Sequence, residues 1–230
     1  MKEERILSLD TSTKTGWAFA ISSDSGIKLE LYGQLDQIHE PDGRYPSNYI
    51  IWAYACFKEI QKLIDNLKPE ILVIEETSKG SKNAMSQKIL EFIHFLLAKY
   101  IKDNNIRSTY IQSEQWRREI GCQMNDKEKA RNKEVRTYKK EVQKKTGKKT
   151  TIARDINGKR IGLIGRKHVN IRRVSEIFQG QLKKPLMRKD EDLADGLGLA
   201  ACYHFRRIRM EKDVDKVVEL GIMDIIKGEV

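Results

Sequence analysis

The sequence of 230 residues predicts a mixed α/β fold in which a five-stranded sheet, three antiparallel strands followed by two parallel ones, is flanked by helices. Three observations lead there. Residues 5–10, 16–22 and 27–34 are short apolar or alternating runs separated by turn-like polar stretches, the pattern of hairpin-connected strands. Residues 48–66 repeat apolar positions at helical spacing, and Pro69 then introduces the compact run ILVIE, so a helix crosses over to a buried strand. A second long helix over 84–102, a strand over 106–111 and a short helix over 113–120 continue the alternation, giving the order βββαβαβα.

After Gly121 the pattern changes. Residues 125–149 are dominated by Lys, Arg and Glu with few apolar positions beyond Val135, Tyr138 and Val142, which reads as a solvated, helix-prone arm. Asn157-Gly158 then sits between two alternating runs, a short-range hairpin signal. Helical patterning resumes near His168 and again over 191–208. The expected organisation is one α/β domain over 1–210, interrupted by a basic insertion over 122–165, with a short helical tail over 211–230.

The net charge of +11 suits a polyanionic partner, and its distribution is more telling than its sum. Residues 126–173 hold 18 Lys/Arg against 5 Asp/Glu, a local excess of +13 that leaves the rest of the chain at −2. Such localisation is what a nucleic-acid footprint produces. No run of eighteen apolar residues is present, and the first residues lack the basic-then-apolar order of a secretory signal, so a cytoplasmic protein with no membrane association is expected. Cys56, Cys122 and Cys202 are odd in number and scattered, which points to reduced thiols and no structural zinc.

Four carboxylates stand where charge is costly. Asp10 and Glu75 end apolar strand runs, while Asp192 and Asp195 lie one turn apart on a helix whose continuation, LGLAACYHF, is apolar enough to pack on the sheet. If the two strands pair, all four converge. Converging carboxylates repel one another and lose hydration unless cations lie between them, and hard oxygen ligands of this kind suit Mg²⁺ or Mn²⁺. Two such ions about 4 Å apart serve phosphodiester hydrolysis. Taken alone, Asp10 would be read as a turn cap; the company of the other three turns the reading to catalysis. Glu76, Asp190 and Glu191 are adjacent acids that compete for these places. The three tryptophans and four histidines read as core or interface residues.

The segments Leu9-Asp10 through Gly16-Trp17, Ile74-Glu75 followed by Lys82-Asn83-Ala84 and Ser86, Ser113 with Trp116-Arg117, and Asp192 with Asp195-Gly-Leu together resemble RuvC-type Holliday junction resolvases of the ribonuclease H-like superfamily, closest to phage-type members. The resemblance covers 5–121 and 166–207. It implies that Asp10, Glu75, Asp192 and Asp195 are catalytic metal ligands holding two Mg²⁺ ions, replaceable by Mn²⁺, with Asp10 bridging both. It implies a homodimer that resolves four-way junctions, or forks and flaps, in DNA recombination and repair. Lys14, Ser78, Lys79, Lys82, Arg166, Lys167, Arg172 and Arg173 are the candidate DNA-binding residues. Arg166 or Lys167 would be the counterpart of the family's basic catalytic helper. Two departures stand out. The stretch between Cys122 and Gly165 is longer than the corresponding family loop, and Ser78 replaces the aromatic wedge common three residues beyond the strand glutamate.

Two rival readings come from other classes. An actin-like ATPase or sugar kinase also opens with a strand leading into Asp-x-Ser/Thr, but it needs a second glycine-rich phosphate loop and an adenosine motif, neither of which is visible. A catalytically silent branched-DNA-binding module would keep the charge and lack the chemistry. A nuclease assay with Mg²⁺ separates these.

Overall fold

The computed structural model describes residues 2–77 and 84–227, with side chains described as far as residue 212. The strands and helices run β1 (Glu4–Asp10), β2 (Gly16–Ser23), β3 (Gly26–Gln34), α1 (Ser47–Leu67), β4 (Ile71–Glu75), α2 (Ala84–Asp103), β5 (Arg107–Ile111), α3 (Ser113–Glu119), α4 (Asp126–Thr146), β6 (Ala153–Arg154), β7 (Arg160–Ile161), α5 (Arg166–Ile177) and α6 (Glu191–Lys227). The main sheet has the order β3-β2-β1-β4-β5, with β1, β2 and β3 antiparallel and β4 and β5 parallel to β1. This is the mixed five-stranded sheet that the sequence predicts.

Helices cover both faces, and the period-two alternation of the strands assigns side chains to them. Leu7, Leu9, Leu72 and Ile74 face α1 and α2, packing with Phe57, Ile60, Ile93 and Leu97. Ile6, Ala18, Ile71 and Val73 face the other way, towards Trp116 of α3, Val174 of α5 and Leu197 and Ala201 of α6. β1 and β4 are buried on both faces, which is why they read as continuous apolar runs. Among the described residues no helix is long and apolar enough to cross a membrane.

Two expectations shift. A single helix, α6, runs from Glu191 to Lys227 with no break near residue 210, where the apolar pattern fades. Met210-Glu211-Lys212 are good helix formers, and a helix continues until something stops it. The hairpin at Asn157-Gly158 forms, but with strands of only two residues each, its turn held by the Asp155 carboxylate accepting from the Asn157 and Lys159 amides at 3.0 and 2.9 Å. Gly158 takes the positive φ of +77° that this turn requires.

Candidate active site

Strand register brings the first two carboxylates together. Leu9 of β1 is level with Ile74 of β4 in the parallel pair, so the next residues, Asp10 and Glu75, end the strands side by side. Alternation continues the face of Ile6 and Ser8 to Asp10, and that of Ile71 and Val73 to Glu75. Both therefore lie on the α6 face.

Glycines let α6 come close enough to complete the group. A Cβ on Gly16, which pairs with Asp10 across β1 and β2, would lie 1.9 Å from the Asp192 carbonyl oxygen. One on Gly196 would lie 2.9 Å from the Gly16 backbone, and one on Gly198 would lie 2.5 Å from the Trp116 ring. The buried Ser8 hydroxyl lies 2.7 Å from the Gly196 carbonyl and 3.1 Å from that of Ala18, stitching helix to sheet. Asp192 and Asp195, at i and i+3, are thereby presented to the strand ends.

The electrostatics record the convergence. Burial pushes Asp10 well above the usual carboxylate range, and the charges of Glu75, Asp195 and Asp192 push it further. Burial and the Asp195 charge raise Glu75 to about 7, against opposition from Arg117 and a hydrogen bond from Trp116. Burial raises Asp195 and Asp192 as well. Lys14 and Lys167 exert a lowering influence on Asp192, which places both within electrostatic reach of it.

A second ring of residues, unassigned from the sequence, holds these acids. The Trp116 indole, wholly buried, donates from Nε1 to Glu75 Oε2 at 3.1 Å. Arg117 donates to Asp195 Oδ2 at 2.8 Å and stacks on the Trp116 ring at 4.5 Å. Asn170 of α5 donates to Asp195 Oδ1 at 3.1 Å, and its own Oδ1 is buried without a partner. Gln34 Nε2 reaches Asp192 Oδ2 at 3.3 Å. Trp116-Arg117 is visible as a motif, but nothing in the sequence tells which acid each touches. Trp116→Phe, which deletes one donor and little volume, is expected to weaken Mg²⁺ affinity roughly tenfold, as loss of an outer partner of a ligand does. Calorimetric titration with Mg²⁺ measures it.

The competing acids have other duties. Asp190 accepts from the Met187 amide at 2.8 Å in a single turn ahead of α6, and Glu191 pairs with Lys167. Glu76 continues the sheet through its backbone, its amide donating to the Ile111 carbonyl at 3.0 Å. Of the candidate DNA-binding residues, Arg166 pairs with Glu114 at 3.1 Å on the surface, and Arg172 is held by Glu128 at 2.9 Å, Glu176 at 2.8 Å and the Gln123 carbonyl at 2.8 Å. Arg173 is held by the Ile120 carbonyl at 2.6 Å and Glu176 at 3.2 Å. As folded, Arg172 and Arg173 brace the start of the insertion. Ser78, Lys79 and Lys82 lie outside the described residues.

All four inward acids offer hard oxygen, the donor chemistry of Mg²⁺ and Mn²⁺. Among the described residues, no three His, Cys, Asp or Glu side chains stand close enough to hold an ion as they are. Arg117 is the cation bonded to Asp195, so a metal would draw the acids inward and compete with the guanidinium. The donor set fits a divalent metal, and the raised pKa values give the metal-free protein a signature. Glu75 holds its proton more tightly when folded, so its contribution to stability is present below about pH 4.5 and is lost as pH rises through about 7. In EDTA, the stability of the protein relative to its Glu75→Gln variant should therefore fall between pH 5 and pH 8, as thermal melts of the pair would read; a constant difference would contradict it.

No protein-family model matches the sequence, and no curated protein does. Solved structures do. RuvC from Thermus thermophilus, in complex with a Holliday junction substrate, matches over 90% of this chain and 96% of its own at 11% identity and a TM-score of 0.54. A second Thermus thermophilus RuvC structure matches over 90% and 96% at 12% identity and a TM-score of 0.55. The yeast mitochondrial Holliday junction resolvase Ydc2 matches over 91% of this chain and 81% of its own at 11% identity and a TM-score of 0.54. The chain has the RuvC-type, ribonuclease H-like fold.

Proposed function

We propose that this chain, on its RuvC-type fold, is a divalent-metal-dependent endonuclease that resolves Holliday junctions or related branched DNA. The observation that carries the reading is the gathering of Asp10, Glu75, Asp192 and Asp195 on one face at the ends of two adjacent strands, at the cost of a raised pKa in all four. Groups that destabilise the fold in which they sit are kept for function more often than for structure. That the matching structures include a resolvase with its Holliday junction supports the choice of substrate.

Bound Mg²⁺ or Mn²⁺ would supply charge stabilisation at the scissile phosphate and a more acidic water. Asp10 and Glu75 would hold it from the sheet, Asp192 and Asp195 from α6. Trp116 fixes the Glu75 carboxylate and Asn170 fixes that of Asp195, so both are oriented before any ligand arrives. Lys14 and Lys167, within electrostatic reach of Asp192, would add positive charge for a phosphate bound at the acids. Arg117, bonded to Asp195, adds a further positive charge at the same edge of the acids.

Paired, symmetric cuts require two such sites, and a C2 homodimer provides them. The apolar stripe of α2 is not free to supply the interface, since Ile89 and Ile93 are buried in the core and Phe92 and Leu96 pack partly against it; Phe95 of this helix is 68% exposed. Sedimentation of the protein free and on junction DNA tests the assembly. The function is tested by incubating a four-way junction, a fork, a flap and a linear duplex with the protein in Mg²⁺ and in EDTA and mapping the ends. Metal-dependent paired nicks at the branch are expected. Binding without cleavage would leave the silent-module reading, and ATP turnover would favour the kinase-like one.

A further inference from the structure

We infer that the outer face of α4 is a docking surface for one sugar-phosphate backbone of a duplex DNA arm. The inference rests on the proposed action on DNA for its partner, but on separate residues for its surface.

The insertion is a built arm. Asn125 and Glu128 form a reciprocal capping box, the Asn125 side chain accepting from the Glu128 amide and the Glu128 carboxylate from the Asn125 amide, each at 2.9 Å. The helix ends at Gly147 in the left-handed conformation. The Asn132 amide clamps Ile164, donating to its carbonyl at 2.9 Å and accepting from its N–H at 2.7 Å. Glu128 receives Arg172 of α5. The roots of the arm are also the elements that hold the acids: α3 carries Trp116 and Arg117 on one side, and α5 carries Asn170 on the other. A rod fixed in this way extends from the rim of the candidate active site.

Its faces are divided by charge. Glu128, Asn132, Val135 and Val142, spaced by four, three and seven, form the covered side. On another side of the helix Lys129, Lys133, Arg136, Lys140 and Lys144, spaced by four, three, four and four, form one exposed stripe. Lys129 meets Asp126 at 3.2 Å, while Lys133, Arg136, Lys140 and Lys144 have no acidic partner among the described residues. Glu134 and Glu141 lie to the side, around a shallow hollow shared with Tyr138 and Arg154. A helix meant only to stay soluble would interleave its charges, as i to i+4 pairing rewards. Here one face is left cationic over about 22 Å, at 1.5 Å per residue. The regular charges of the stripe suit a repeated anion read without regard to sequence.

The test measures binding in EDTA, so that cleavage plays no part. A variant carrying Lys133→Gln, Arg136→Gln, Lys140→Gln and Lys144→Gln keeps helix-forming residues. A control variant with Lys58, Lys62, Lys99 and Lys102 replaced by Gln loses the same charge from α1 and α2. Each is titrated with a four-way junction, a linear DNA duplex and polyglutamate at several salt concentrations, with circular dichroism to confirm helicity. The stripe variant should flatten the log–log salt slope by roughly 0.9 for each phosphate no longer neutralised, two units or more in all, on junction and linear duplex alike, while the control keeps the wild-type slope. Equal flattening in both variants, an unchanged slope in the stripe variant, or a loss confined to polyglutamate would each overturn the inference. Wild-type protein that binds but cuts nothing in Mg²⁺ would remove the nuclease reading and leave the docking surface standing.

Discussion

Asp10→Asn is expected to abolish cleavage in Mg²⁺, by at least about a thousandfold, which corresponds to roughly 4 kcal/mol of barrier, while junction binding stays intact or tightens. Glu75→Gln should do the same. Both carboxylates end strands at the centre of the acidic group, and both are disfavoured as anions by burial and by neighbouring acids. Replacing either by its neutral isostere removes a metal ligand and relieves repulsion, so the variant proteins should melt at a temperature no lower than the wild type at pH 8 in EDTA. That combination separates a lost ligand from a lost fold. Cleavage assays of both variants on a four-way junction, with melting curves alongside, check it; full activity in either would remove that residue from the site.

Gly16→Ala should have the largest structural effect of any Gly→Ala change among the described glycines. The new Cβ would sit 1.9 Å from the Asp192 carbonyl oxygen and 2.7 Å from the Leu193 nitrogen, and these are backbone atoms that no rotamer change can move. Relief requires α6 to lift from β1 and β2, which should cost about 3 kcal/mol or more, a fall in Tm on the order of 10 °C. The same displacement carries Asp192 and Asp195 away from Asp10, so Mg²⁺ affinity should fall with stability. Gly26→Ala serves as the comparison: nothing lies within 4 Å of its Cβ position, and although its φ of +127° makes it strained, any loss there should leave Mg²⁺ affinity unchanged. A Gly16→Ala protein with native melting and native metal binding would show that the helix is not so closely seated.

The carboxylates and their supports differ in how far the sequence reveals them. Asp10 and Glu75 are legible because each ends a largely apolar run, broken before Asp10 only by Ser8, and such runs are the mark of strands buried on both faces. Asp192 and Asp195 are legible because the helix that follows them is apolar enough to bury. The order of elements is local information of the same kind, since periodicity and turn chemistry depend on neighbours a few residues apart. The supports are not local. Trp116 meets Glu75 across 41 residues, Arg117 meets Asp195 across 78, and their partners are set by strand register and by the closeness of α6 that Gly16 and Gly196 allow.

The basic residues show the same division. The sequence by itself determined that residues 126–173 carry a large positive excess, and that much of it would lie on a helix. Only the tertiary structure decided which cations remain available. Arg172 and Arg173 share Glu176, a neighbour on their own helix, but Glu128 and the Ile120 and Gln123 carbonyls come within reach only because α5 packs against the root of α4. Lys133, Arg136, Lys140 and Lys144 stay outward because β6 and Ile164 pack on a different side of the helix. Composition fixes how much charge a chain carries, since that is a sum over residues. Where the charge can act depends on which polar groups the fold has already paired, and pairing is a property of three-dimensional neighbours.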